Sequence, residues 1–254
     1  MNKKDFYEQH ASFSHRTISE YHISPGIKCK FDTIKSFISS KLKFNTGIDL
    51  GSSGNSIFLF LKSIKNKSFF DLANYPLRLY KSKTFWHPVN GDMTNLPYRD
   101  NSFEIISALD VLEHVEDDEL AIFEIQRTLK KKGLLIITVP HRKICYSDQD
   151  RIIGHYRRYD LEQIIDLMKK HNLKVIRSFG IYGPLMKISE IQASHPQKVE
   201  EKILSLRFLY DTNSMFRAFW KVIVYLGSKI MKLDAKYHGI KKNMNVGFIF
   251  IKVS

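Results

Sequence analysis

The residues with most chemical promise begin at Gly47-Ile48-Asp49-Leu50-Gly51-Ser52-Ser53-Gly54-Asn55-Ser56. A short apolar approach ending in a carboxylate, followed by small residues, is what a strand needs to turn sharply beneath a ligand; glycines there let backbone amides come close. Asp71 closes the apolar pair Phe69-Phe70, near the offset of about 20 residues at which nucleotide-binding turns place an acid on ribose hydroxyls. Gly91-Asp92-Met93, Ala108-Leu109-Asp110 and Glu113-His114 come next. A basic, aromatic loop then carries His141-Arg142-Lys143 and Gly154-His155-Tyr156-Arg157-Arg158-Tyr159. Imidazoles there could accept a proton near neutrality, and the two arginines could clamp an anionic or planar partner. Each group also has a plainer reading: Glu113 and His114 as hydrogen-bonding loop residues, the arginines and tyrosines as structural anchors.

In order and spacing, the stretch from about Gly47 to Tyr159 resembles the class I S-adenosylmethionine-dependent methyltransferases, the broad group that includes the quinone-biosynthesis enzymes. The resemblance implies S-adenosyl-L-methionine as cofactor. Asp49, Gly51, Ser52 and Gly54 would line its methionine half, Asp71 and Leu72 the ribose, and Asp92 with Met93 the adenine. Leu109 and Asp110 would pass beneath the transferable methyl. His114, His141 and His155 become the candidate proton acceptors, with Tyr156, Arg157, Arg158 and Tyr159 on the acceptor. In-line methyl transfer requires no metal. One departure stands out: Ser53 and Asn55 occupy the second and third glycine positions of the family's Asp-x-Gly-x-Gly-x-Gly pattern.

The fold expected from this resemblance is α/β: a Rossmann-like, seven-stranded, mostly parallel sheet with helices on both faces, an antiparallel last strand, and a helical insertion before that strand. Divided by residue number, 1–46 form an N-terminal arm and cap helix, 47–179 the cofactor-binding core, 180–242 the insertion and 243–254 the last strand. Before the core, apolar residues from Ile27 to Leu42 recur at helical spacing with lysines on the other face. Ser56 to Ile64 reads as a buried first helix, and Phe69–Asp71, Phe85–Val89 and Phe103–Leu109 as strands two to four. A helix opened by Asp117-Asp118-Glu119 is expected to stop at Gly133, behind Lys130-Lys131-Lys132. Leu134–Val139 follows as strand five, and Asp160 with Gln163 forms a capping box for the next helix. Leu173–Phe179 and Asn245–Val253 complete the sheet.

Lys and Arg outnumber Asp and Glu by 40 to 26, a formal charge of +14. That excess is either a solvated surface or a field for phosphate-bearing partners such as anionic lipid, nucleotide or RNA. The two cysteines, Cys29 and Cys145, form no Cys-x-x-Cys pair, which suits a reducing cytoplasm; the N-terminus lacks the apolar stretch of a secretory signal. Within the insertion, Met215 to Lys232 places Arg217, Lys221, Ser228 and Lys232 along one helical face among Phe, Trp, Val, Ile and Leu. This segment reads as a helix in a headgroup layer, a cap on the domain, or a homodimer interface. The expected activity is methylation, chiefly on oxygen, of a small-molecule, glycan or lipid-linked acceptor. An RNA methyltransferase and a noncatalytic cofactor-binding scaffold are the alternatives. Against RNA stand the missing Asn-Pro-Pro-Tyr-type motif and the lack of an appended RNA-binding module.

Overall fold

A computed structural model describes residues 3–9, 16–38, 41–81, 84–186 and 196–253. Its seven strands are β1 (Phe44–Leu50), β2 (Ile64–Asp71), β3 (Trp86–Asn90), β4 (Phe103–Leu109), β5 (Leu129–Pro140), β6 (Leu173–Tyr182) and β7 (Asn245–Lys252). They form one sheet in the order β3-β2-β1-β4-β5-β7-β6. The first five are parallel, and β7 runs antiparallel between β5 and β6. The order reverses between β1 and β4, so their carboxyl ends diverge into a crevice. Strands buried on both faces read as apolar runs, and Ile105, Ile106, Ala108, Leu135, Ile136 and Ile137 are all fully buried.

The helices are α1 (Lys3–Gln9), α2 (Glu20–Ile23), α3 (Pro25–Phe37), α4 (Asp118–Thr128), α5 (Asp148–Ile152), α6 (Leu161–Lys170), α7 (Pro196–Thr212) and α8 (Ser214–His238). One apolar core packs α4 and α6 against the sheet through Ile122, Ile125, Ile164 and Met168; the other packs α3 through Phe31 and Ile34. The insertion is the hairpin of α7 and α8, which covers α3 and β6 and returns the chain to β7.

Several elements differ from the sequence reading. The expected first helix is a single 3-10 turn, Ile57–Leu59, because residues 51–63 must both cross to β2 and bury Ile57 and Phe58. Ser56, expected to open that helix, hydrogen-bonds Asp49 and caps the turn at Phe58 N. Helix α3 stops at Phe37, and Leu42 is exposed. Helix α4 ends at Thr128, five residues before Gly133, since buried Leu129 pairs with Phe103 and begins β5. The three lysines therefore lie in the strand, where Lys132 takes a φ of 63° beside a register shift. Asp160 stands at the N-terminus of α6 without bonding its amides; its Oδ1 accepts instead from Lys143 N at 3.3 Å.

Candidate active site

The β1 turn is built by two residues with positive φ, Gly51 at 65° and Ser53 at 44°. A Cβ on Gly51 would lie 2.4 Å from Val111, so glycine lets the ends of β1 and β4 approach. Ser53, and not Asn55, takes the left-handed geometry. It turns its amide onto Asp71 Oδ2 at 2.8 Å, while Ala73 N donates to Asp71 Oδ1 at 2.9 Å. Burial pushes the Asp71 carboxyl up to about 6, partly offset by those two amides. Each oxygen keeps a lone pair for a further donor.

Beyond this turn opens a cavity of about 430 Å³, within the usual range of about 300–1,000 Å³ for small-molecule sites. Its walls hold Gly51, Asp71, Leu72, Asp92, Met93, Leu109, Asp110 and His114, eight of the residues singled out in the sequence. Three expected cofactor residues lie behind the wall. Asp49 is buried and accepts from the hydroxyls of Ser56 and Ser107; burial raises its carboxyl to about 6, with the two hydroxyls opposing. Ser52 is buried, its amide bonded to Phe70 O. Gly54 serves the N-terminal arm: a Cβ there would stand 1.7 Å from the Arg16 carbonyl oxygen.

The cavity also contains residues the sequence reading missed. Lys30, from α3, pairs with Asp110, whose Oδ1 accepts from Thr138 at 2.7 Å and Asn245 at 2.9 Å. Burial would raise the Asp110 carboxyl, but Lys30 and these bonds hold it down to about 2. Lys30 lies three residues after Ile27 and four before Ile34, inside the apolar stripe, a signal that it points inward. Arg16 and Tyr7 lie in a segment without periodicity and gave no such signal.

Helix α1 closes the cavity from above. Its Glu8 carboxylate accepts from Asn74 N at 2.6 Å and Tyr75 N at 3.1 Å on the β2 side. Across the opening, Tyr7 OH meets His114 Nδ1 at 2.8 Å on the β4 side. Burial and the neighbouring His155 push His114 down to about 3, so its ring is neutral at ordinary pH.

The remaining candidates lie outside the lining. His141 is buried and its Nδ1 lies 2.8 Å from Tyr159 O. His155 holds Asp150 through Nδ1 at 2.7 Å. Arg157 pairs with Asp118 at 2.7 Å, and Arg158 with Asp150 at 2.9 Å. Tyr159 is fully buried, donating to Asp118 Oδ2 at 2.7 Å. Tyr156 is exposed and its amide donates to Glu113 O at 2.8 Å. This run therefore anchors the loop after β4, the plainer of its two readings.

The donor set fits S-adenosylmethionine on structural grounds. Gly51 brings bare backbone to the wall; Asp71 has acceptors for a diol; Phe70, Leu72 and Met93 supply an apolar flank for a planar ring; Arg16 and Lys30 bring cations for a carboxylate.

Comparison with known proteins agrees with this geometry. Residues 48–137 match the methyltransferase domain family. An uncharacterised protein of Methanocaldococcus jannaschii is 25% identical over 153 residues, covering 60% of this chain and 62% of the relative. Demethylmenaquinone methyltransferase of Staphylococcus saprophyticus is 27% identical over 151 residues, 56% of this chain and 59% of the relative. The chain thus spans about three-fifths of the length of these curated relatives. Among solved structures, phosphoethanolamine N-methyltransferase 2 of Haemonchus contortus with S-adenosyl-L-methionine superposes with a TM-score of 0.66 at 18% identity, covering 100% of this chain and 60% of that one. A Thermotoga maritima S-adenosylmethionine-dependent methyltransferase gives 0.63 at 16% identity, covering 98% and 99%. At such identities the structures speak for the fold, and they share it over nearly the whole chain. Residues 48–137 thus match the methyltransferase domain, and the chain shares its fold with S-adenosylmethionine-dependent methyltransferases of known structure.

Proposed function

We propose that the protein transfers the methyl group of S-adenosylmethionine to an oxygen of a small-molecule, glycan or lipid-linked acceptor. The observation that supports this most is Asp71, fixed by two backbone amides in the wall of the cavity at the carboxyl end of the sheet. When bound, the cofactor supplies an electrophilic methyl on a sulfonium. The chain's residues hold, orient and exclude water.

In this reading Asp71 accepts from the ribose hydroxyls. Phe70, Leu72 and Met93 flank the adenine, with Asp92 at its edge. Arg16 and Lys30 draw the carboxylate of the methionine half, and Asp110, kept ionised by Lys30, attracts the cationic end. Helix α1 shuts out water, which strengthens these interactions and favours the in-line approach. His114 is the one candidate proton acceptor in the cavity wall, and its neutral ring can hydrogen-bond an acceptor hydroxyl.

The test is transfer of labelled methyl from S-adenosylmethionine into cell extract separated into lipid, water-soluble glycan and RNA fractions. Label in the lipid or glycan fraction, lost in Asp71→Ala, is expected. Label confined to RNA would move the assignment to the RNA alternative. Cofactor binding with no label in any fraction would favour the scaffold.

A further inference from the structure

Beneath α1 lies an arrangement that methyl transfer does not need. Glu113 is fully buried, yet neither of its carboxylate oxygens has a hydrogen-bond partner. An unpaired carboxylate in such a place is costly enough to call for an explanation. His155 Nε2 faces it at 3.9 Å. The Nδ1 of the same ring is 2.7 Å from Asp150, which places a proton on Nδ1 and turns Nε2 toward Glu113. Two groups with lone pairs to share therefore face each other across a gap that a proton or a metal ion would bridge. His114 completes the group, for one ligating atom each from Glu113, His114 and His155 lie within 4.8 Å of one another.

Two imidazoles and a carboxylate, with a second carboxylate orienting one ring from behind, is a donor set suited to a divalent transition-metal ion. We propose that Glu113, His114 and His155 bind one such ion, zinc or a neighbour in the first transition row. Asp150, itself held by Arg158 at 2.9 Å, is the positioning residue for His155. Three protein ligands leave a coordination position open. Because His114 belongs to the cavity wall, an acceptor hydroxyl could take that position and lose its proton more readily. This last consequence rests on the methyltransferase reading; the metal site does not.

The experiment uses the full chain without a polyhistidine tag, stripped with chelator, and the metal alone. Co²⁺ is followed by its visible absorption, Zn²⁺ by calorimetry and by its effect on Tm. One equivalent per chain is expected, with affinity reduced by more than about a hundredfold in Glu113→Gln and His155→Gln, and roughly 10–100-fold in Asp150→Asn. Zn²⁺ should raise the Tm of the wild type and leave Glu113→Gln unmoved. Absence of stoichiometric binding, or equal binding by wild type and variants, overturns the site and leaves a shared proton between Glu113 and His155. Neither result depends on cofactor or acceptor.

A separate observation concerns α8. Met215, Phe219, Val222, Leu226, Ile230, Leu233 and Tyr237 recur every three or four residues, and each is more than half exposed. At 100° per residue they fall in an arc of roughly 80° along the helix. The opposite edge, Val224, Ser228 and Ala235, is buried, and Trp220 Nε1 donates to Ile23 O at 3.1 Å. Lys221, Lys229, Lys232 and Lys236 form an exposed row on one flank of the stripe. The helix has a single acid, Asp234, which is buried and accepts from Leu185 N at 3.1 Å.

Its outer face is therefore apolar and cationic with no exposed acid. We infer that it lies in the plane of an anionic bilayer, with the stripe among acyl chains and the lysines at the headgroups. No described helix is long and apolar enough to cross a membrane. A second copy would present an equally cationic face and offer the lysines no counter-charge.

Flotation of the full chain with vesicles of phosphatidylcholine, with and without one-quarter phosphatidylglycerol, tests this at low and high salt. Binding only to the anionic vesicles is expected, weakening with salt. It should be lost in Phe219→Glu/Leu226→Glu and reduced more than about tenfold when the four lysines become serine. No flotation of the wild type, or equal flotation of all variants, overturns it. So does a dimer in sedimentation that the double variant dissociates without any lipid binding.

Discussion

Two aspartates carry the electrostatics of the cavity region in opposite settings. Asp49 is sealed behind the wall and Asp71 stands in it, and burial pushes both to about 6. An unfolded Asp titrates near ~3.9. Because the folded pKa is the higher one, the folded state holds more protons between those values. Stability therefore falls as pH rises through that window, and the penalty is complete above about 6. Asp49→Asn removes its share of the slope. Urea unfolding should show the wild type gaining about 1 kcal/mol more than the variant between pH 7.5 and pH 5; parallel profiles would refute the assignment. For Asp71 the same titration bears on binding: donor affinity should decline as pH falls through about 6, and Asp71→Asn should flatten that decline. Both acids were legible in the sequence from strand-end position. Their separate settings were not, because only the tertiary fold decides that Ser56 and Ser107 seal one of them.

Among elements, the N-terminal arm has the clearest dependence on a single atom. Gly54→Ala would drive a methyl group into the Arg16 carbonyl, while the φ of Gly54 itself is not in the left-handed region. The arm should lift and the sheet remain. Hydrogen exchange is expected to speed up in residues 3–9 and 16–23, with donor affinity reduced roughly tenfold and global stability changed by less than about 1 kcal/mol. On α8, Val224→Asp should destabilise the fold by more than about 3 kcal/mol, since Val224 is buried against the domain, whereas Phe219→Glu should be nearly neutral in Tm. The sequence marked this helix as amphipathic but put Ser228 on a polar face with Arg217, Lys221 and Lys232, whereas Ser228 and Val224 are buried, because the helix has two apolar sides, one against α3 and β6 and one outward. The missing first helix had a related cause. A wholly apolar run of five residues, Ile57 to Leu61, has no periodicity with which to separate a helix from a buried turn. Helix α4 was overextended because three lysines and a glycine imitate a helix end, whereas the buried Leu129 shows that the chain had already entered the sheet.

For the whole molecule, seven strands with an antiparallel last one were legible, because apolar runs such as Phe69-Phe70 and Leu134–Val139 mark strands and β7 follows a long gap from β6; their order in the sheet was not. The surface charge was legible as a number, +14. Its consequence is self-repulsion, which salt screens. Raising NaCl from 0.05 to 0.5 M should raise Tm by about 2–4 °C, equivalent to about 1 kcal/mol for a chain of this size. A fall in Tm would mean that the ion pairs, such as Lys30 with Asp110, outweigh the repulsion.

The cavity as a whole is assigned to S-adenosylmethionine, and calorimetric titration with that cofactor and with S-adenosylhomocysteine tests the assignment most directly. Wild type should bind both with micromolar-order affinity, about −8 kcal/mol. Asp71→Ala should bind both at least about tenfold more weakly while keeping its Tm within a few degrees. A folded wild type that gives no heat with either ligand, or an Asp71→Ala variant that binds as tightly as wild type, would contradict the account.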